Sequence, residues 1–165
     1  MSSAEKISVI REPGTAAHRS LVSVVVPVYN EAANLHALWV RLEPVMRACG
    51  RPWEILFVDD GSSDLSLEIM REIAAGAEGA VRVIELARNF GQHSAILAGF
   101  RQCRGEIVVT LDADLQNPPE EIPRLVAAID EGNDVVGGWR EERQDNVRRA
   151  LPHGPSRVTA YEGRS

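Results

Sequence analysis

The run Leu21-Val22-Ser23-Val24-Val25-Val26-Pro27-Val28 constrains the fold more than any other stretch. It is β-branched and apolar at nearly every position, without the alternation of a half-exposed strand. Such a run suits a strand buried on both faces, as in a parallel sheet. Parallel neighbours need a crossover, usually a helix. The chain supplies one at once. Leu35, Leu38, Trp39, Leu42, Val45 and Met46 recur at helical spacing over residues 32–49, and Gly50 and Pro52 end the run. Pro27 lies near the strand's end, where a missing N–H is tolerable.

The pattern then repeats. Strands are predicted over residues 54–58, 81–86, 106–111 and 134–137, and helices over 65–75, 93–102 and 120–130. Asn30 is a candidate cap for the first helix, and Ser63 or Asp64 for the second. This alternation predicts an α/β fold, a Rossmann-like, mostly parallel sheet flanked by helices with right-handed crossovers. Residues 1–19 carry Pro13-Gly14 and no sustained periodicity, and read as a flexible leader. One domain is expected over residues 20–142, followed by a tail at 143–165.

In such sheets ligands bind beyond the carboxyl ends of the strands. Those ends carry Tyr29-Asn30-Glu31, Asp59-Asp60, Arg88-Asn89 and Asp112-Ala113-Asp114. A glycine-rich dinucleotide fingerprint after the first strand is missing, which disfavours hydride chemistry. Two carboxylates one residue apart at the end of a buried strand are costly unless a cation neutralises them. Oxygen ligands suit Mg²⁺ or Mn²⁺, and a metal with few protein ligands usually completes its shell with phosphates and water. In extended backbone Asp112, Asp114 and Gln116 share one face. They are candidate metal ligands, or else a polar loop that caps the following helix.

The other strand ends also admit two readings each. Pro27, Tyr29 and Glu31 line a nucleotide pocket, or simply form a strand-to-helix turn. Asp59 and Asp60 accept hydrogen bonds from a base or ribose, or complement a helix dipole, which explains Asp64 better than Asp59. The loop from Arg88 to His93 binds phosphate or sugar, with Gly91 allowing tight backbone. His93 is a base, a cap or a surface residue. Arg140 and Arg143 hold a phosphate, since guanidinium matches phosphate oxygens bidentately, or form a solvated cluster.

Charge narrows the partner. Lys+Arg of 18 against Asp+Glu of 24 gives a net −6, which disfavours nucleic acid. The tail is basic, with Arg143, Arg148, Arg149, Arg157 and Arg164. Cys49 and Cys103 have neither a disulfide framework nor zinc-type spacing, so a reducing cytoplasm is expected. No secretory h-region and no apolar run near the ~20 residues of a membrane span is present.

Four stretches occur in a telling order: Val24-Val25-Val26-Pro27-Val28-Tyr29-Asn30-Glu31, Val58-Asp59-Asp60-Gly61-Ser62-Ser63-Asp64, Arg88-Asn89-Phe90-Gly91-Gln92-His93-Ser94-Ala95, and Leu111-Asp112-Ala113-Asp114-Leu115-Gln116-Asn117-Pro118-Pro119-Glu120. With Val135-Val136-Gly137, they resemble the family 2 glycosyltransferases of the GT-A fold, and most closely the branch that acts on polyprenyl phosphates. The resemblance covers roughly residues 20–145. It implies that Pro27, Tyr29, Glu31, Asp59 and Asp60 hold the nucleotide of a sugar-diphosphate donor, with Asp112 beside it. It implies that Asp112, Asp114 and Gln116 bind Mg²⁺ or Mn²⁺, and that Arg140 and Arg143 meet the phosphate of an undecaprenyl or dolichyl acceptor. Asp112, Asp114 and Arg140 are then the catalytic set of an inverting transfer at the cytoplasmic face of the membrane.

Members of this branch continue with an interfacial amphipathic helix, and many add membrane spans. Here Pro152, Gly154 and Pro155 stand where that helix is expected. The resemblance therefore implies a chain cut short on its acceptor side, with donor binding surviving better than transfer. A family 2 transferase acting on a saccharide hydroxyl, with Glu141 or Asp145 as base, is the nearest rival. A nucleotide-sugar-binding domain without turnover is another. A nucleotidyltransferase would want a glycine-rich basic loop after the first strand. A receiver domain would want a late lysine, and Lys6 is the only lysine.

Overall fold

A computed structural model describes residues 8–11 and 20–137. The elements run β1 (Ser8–Arg11), β2 (Val22–Val28), α1 (Ala32–Ala48), β3 (Trp53–Asp59), α2 (Ser66–Gly76), β4 (Val81–Glu85), α3 (Gln92–Gln102), β5 (Ile107–Thr110), α4 (Ile122–Asp130) and β6 (Val135–Gly137). A 3₁₀ turn over Pro119–Glu121 leads into α4, and Pro119 and Pro123 each sit in a first helical turn, where proline fits.

The six strands form one sheet in the order β4-β3-β2-β5-β1-β6. β4, β3, β2 and β5 are parallel, as the alternation predicts. All seven residues of β2 are buried, the consequence of its place at the middle of the sheet. Pro27 pairs with Val58 in the β3 ladder, while the ladder with β5 stops at Val25–Thr110. Its missing N–H thus falls where β5 has already turned away.

The expected leader contains a strand. Ser8–Arg11 pairs antiparallel with β5 on one side and β6 on the other. Four residues are too few to show a period, and this strand is defined by two distant partners rather than by its own sequence. The sheet is therefore mixed at this end.

The larger core joins β2, β3, β5, α1, α2 and α4 through Leu35, Leu38, Leu42, Phe57, Met70, Ile122 and Ile129, among others. α3 covers the opposite face with Ala95 against Val25, Val58 and Val108. Gly99 permits this approach: a Cβ there would lie 2.3 Å from Val25 Cγ1. Near the amino ends of the strands, Glu54 is 6% exposed. It accepts the Ser23 hydroxyl at 2.7 Å, the Arg104 N–H at 2.6 Å and the Arg82 guanidinium at 2.9 Å. Among the described residues no helix is long and apolar enough to cross a membrane.

Candidate functional site

The carboxyl ends of the parallel strands open into a cleft of about 240 Å³. Pro27, Val28, Tyr29 and Glu31 line it after β2, and Asp60 after β3. Asn89, Gly91 and Gln92 line it after β4, and Asp112, Ala113 and Asp114 after β5. Four segments distant in sequence thus meet because each parallel strand delivers its chain end to the same edge.

The turns after β2 and β3 are laced together. Asn30, the cap expected from the sequence, does not cap α1; it adopts φ +56° and its Oδ1 accepts the Ser63 N–H at 2.8 Å. In return the Asn30 N–H donates to Ser62 Oγ at 3.0 Å, and the Glu31 N–H to Ser66 Oγ at 2.9 Å. Asp64 serves both helix starts, accepting the Ala32 N–H at 3.1 Å and the Ser66 N–H at 2.9 Å. Desolvation pushes its carboxyl up, but these donors and the Ser66 hydroxyl outweigh it and hold the group below the usual carboxylate range. The start of α1 therefore finds its acceptors on the neighbouring loop.

Asp59 and Asp60 diverge despite their adjacency. Both are 2% exposed. Asp59 turns to its own loop, where both oxygens accept the Ser62 N–H at 3.3 Å, and it does not line the cleft. Asp60 reaches across to the β4–α3 loop and accepts the N–H groups of Phe90 at 2.8 Å and Gly91 at 2.9 Å. Gly61 lets the two loops touch. It has φ +72°, and a Cβ there would lie 2.6 Å from the backbone of Arg88 and Asn89.

Tyr29 is 49% exposed at the mouth of the cleft. Asp112 and Asp114 flank the floor. Asp112 Oδ1 accepts the Gln92 amide at 2.7 Å and its Oδ2 the Asn117 amide at 3.2 Å. Asp114 Oδ1 accepts the Gln116 backbone N–H at 2.9 Å. The Gln116 side chain is exposed and outside the cleft lining, so the structure brings Asp112 and Asp114 together there without it. Arg88 lies over the Phe90 ring at 4.8 Å, and His93 is exposed; neither lines the cleft. Arg140 and Arg143 lie outside the described residues.

Among the described residues, Glu31, Asp60, Asp112 and Asp114 make the lining acidic, with no lysine or arginine beside them. A diphosphate placed here meets like charge unless a divalent cation accompanies it. Among the described residues no three His, Cys, Asp or Glu side chains cluster as a metal cage. Two carboxylates remain, which is the donor set of a Mg²⁺-type ion that takes its other ligands from phosphate and water. Gln92 and Asn117 have no signature of their own as site residues. Single amides at a helix start or in a loop carry no spacing, and only the Arg88–His93 loop as a whole points to Asn89 and Gln92.

The profile of glycosyl transferase family 2 matches residues 23–163. The undecaprenyl-phosphate 4-deoxy-4-formamido-L-arabinose transferase of Pectobacterium carotovorum subsp. carotovorum (strain PC1) is 56% identical over 130 residues, 79% of this chain and 40% of its own length. The enzyme of the same name from Pseudomonas aeruginosa (strain LESB58) is 57% identical over 132 residues, 80% of this chain and 39% of its own. The chain thus spans about 40% of the length of these curated relatives. Among solved structures, the mannosyltransferase PcManGT from Pyrobaculum calidifontis, in complex with GDP-Man and Mn²⁺, superimposes with a TM-score of 0.59 at 25% identity. That match covers 71% of this chain and 34% of the other. S. aureus TarS 1-349 in complex with UDP-GlcNAc gives 0.53 at 27% identity, over 67% and 31%.

Proposed function

The chain belongs to glycosyl transferase family 2, and we propose that it carries the donor site of a transferase that moves a sugar from a nucleoside diphosphate to a polyprenyl phosphate with inversion. The acidic cleft carries this reading. It gathers an aromatic ring, Tyr29, and the carboxylates Asp112 and Asp114 in one cleft at the carboxyl edge of the sheet.

The roles follow from position. Tyr29 offers its exposed face to the base, and Pro27 with Val28 forms an apolar wall. Glu31 and Asp60 accept hydroxyl hydrogen bonds at the cleft wall, although Asp60 also holds the neighbouring loop. Asp59 supports the Ser62 turn behind them. Asp112 and Asp114 would hold Mg²⁺ or Mn²⁺ against the donor phosphates. When bound, such an ion supplies Lewis-acid stabilisation of charge on the leaving diphosphate. The GDP-Man and Mn²⁺ in PcManGT support the cation in this reading.

A lipid phosphate oxygen attacks the anomeric carbon as the bond from that carbon to the diphosphate oxygen breaks. A phosphomonoester is mostly deprotonated near neutral pH, its second pKa being about 6. The nucleophile therefore needs positioning more than a base, consistent with His93 lying away from the cleft. We assign the acceptor phosphate to Arg140 and Arg143. The names of the curated relatives support an undecaprenyl-phosphate acceptor, and a lipid of that kind would be met at a membrane surface.

The test is transfer of radiolabel from a panel of sugar nucleotides to undecaprenyl phosphate. Organic-soluble label that disappears with chelator is expected. Label in a soluble saccharide instead would overturn the lipid acceptor.

A further inference from the structure

Asp112 is held on both sides by side-chain amides. Gln92 donates to Oδ1 from the first turn of α3, and Asn117 donates to Oδ2 from the loop before the 3₁₀ turn. Bonds to both oxygens from two separate elements fix the plane of the carboxylate.

The residue before Gln92 is fixed as well. The Gly91 N–H donates to Asp60 at 2.9 Å and to Asn89 Oδ1 at 3.1 Å. Gly91 has φ +91°, a conformation that suits glycine and sets the direction in which α3 begins. A continuous path therefore runs from the end of β3 through Asp60, Gly91 and Gln92 to Asp112 at the end of β5. Asp60, Gly91, Gln92 and Asp112 all line the same cleft.

We propose that Gln92 is a positioning residue of the cation site. It sets the Asp112 carboxylate from α3 and ties cation affinity to the placement of the β4–α3 loop. The inference rests on the reading of Asp112 as a cation ligand. Partners that orient a metal ligand typically account for about 10–100-fold in metal affinity. Gln92 is exposed at a helix start, so its replacement spares the core.

The test is Mn²⁺ titration followed by the electron paramagnetic resonance signal of the free ion, in the presence of UDP. Wild type is compared with Gln92→Ala and with Gln92→Met, which keeps the length and loses the donor. UDP affinity without metal and the melting temperature are measured in parallel. About 10-fold weaker Mn²⁺ binding in both variants is expected, with metal-free UDP affinity and melting temperature unchanged. Equal or tighter Mn²⁺ binding in the variants overturns the inference alone. So does an equal loss of metal-free UDP affinity, which would make Gln92 a general contact of the cleft. A wild type that takes up no Mn²⁺ overturns both the reading of the cleft and the inference.

Discussion

Asn30 Oδ1 accepts the backbone N–H of Ser63 at 2.8 Å, across 33 residues of sequence. The bond makes the turns after β2 and β3 one unit, so the wall bearing Tyr29 and Glu31 is fixed relative to the wall bearing Asp60. Asn30 also tolerates φ +56°, which costs an alanine roughly 1 kcal/mol. Asn30→Ala should therefore lower stability by about 2 kcal/mol, the lost bond and the strain together, in urea denaturation. Asn30→Gly should lose less, because it escapes the strain.

Gly61 is the contact point between the β3–α2 and β4–α3 loops. An alanine Cβ would lie 2.6 Å from the backbone of Arg88 and Asn89, at φ +72°. Backbone cannot rotate away as a side chain can. Gly61→Ala should lower stability by about 3 kcal/mol and weaken nucleotide binding by displacing Asn89 and Gly91. Thermal melting and UDP titration check both effects.

Glu54 tests the opposite end of the sheet. Burial pushes its carboxyl up. The donors Ser23, Arg104 N–H and Arg82 outweigh burial and hold the carboxyl below its ordinary value of 4.5. The folded protein then binds the proton less well than the unfolded chain. The resulting stability is present above about pH 4.5 and is lost as pH falls through the lower folded value. Glu54→Ala leaves the Arg82 charge unpaired and should remove about 3 kcal/mol at neutral pH. It should also flatten the acid limb of the stability-against-pH curve, with nucleotide affinity preserved.

Tyr29 separates binding from folding. The residue is 49% exposed, so little of the core depends on it. Stacking of a base on an aromatic ring is worth about 1–3 kcal/mol by alanine substitution. Tyr29→Ala should weaken UDP or GDP binding about 10-fold with an unchanged melting temperature. Calorimetric titration measures the first and differential scanning the second.

The parallel half of the sheet was legible because β2 and β3 are buried on both faces and their residues say so individually. The alternation of strand and helix then brought Tyr29, Asp60, Asp112 and Asp114 to one edge without any knowledge of side-chain contacts. The strand Ser8–Arg11 was not legible, since its two partners lie about a hundred residues away or more. Asp59 and Asp60 could not be told apart from sequence either. Only the close approach at Gly61 decides that Asp60 reaches the β4–α3 loop while Asp59 stays in its own turn. Gln116 failed to join the cleft because Leu115 adopts φ +63°, which breaks the extended backbone on which a shared face depends.

We propose that the acidic cleft takes a nucleoside diphosphate sugar far more tightly with a divalent cation held at Asp112 and Asp114 than without one. The most direct test is calorimetric titration of UDP-sugars and GDP-sugars into the wild type and into Asp112→Asn, each with Mn²⁺ and with chelator. The wild type should bind with Mn²⁺ and at least 10-fold more weakly with chelator, and Asp112→Asn should show a similar loss. Binding of equal strength with and without Mn²⁺, unaffected by Asp112→Asn, would contradict it.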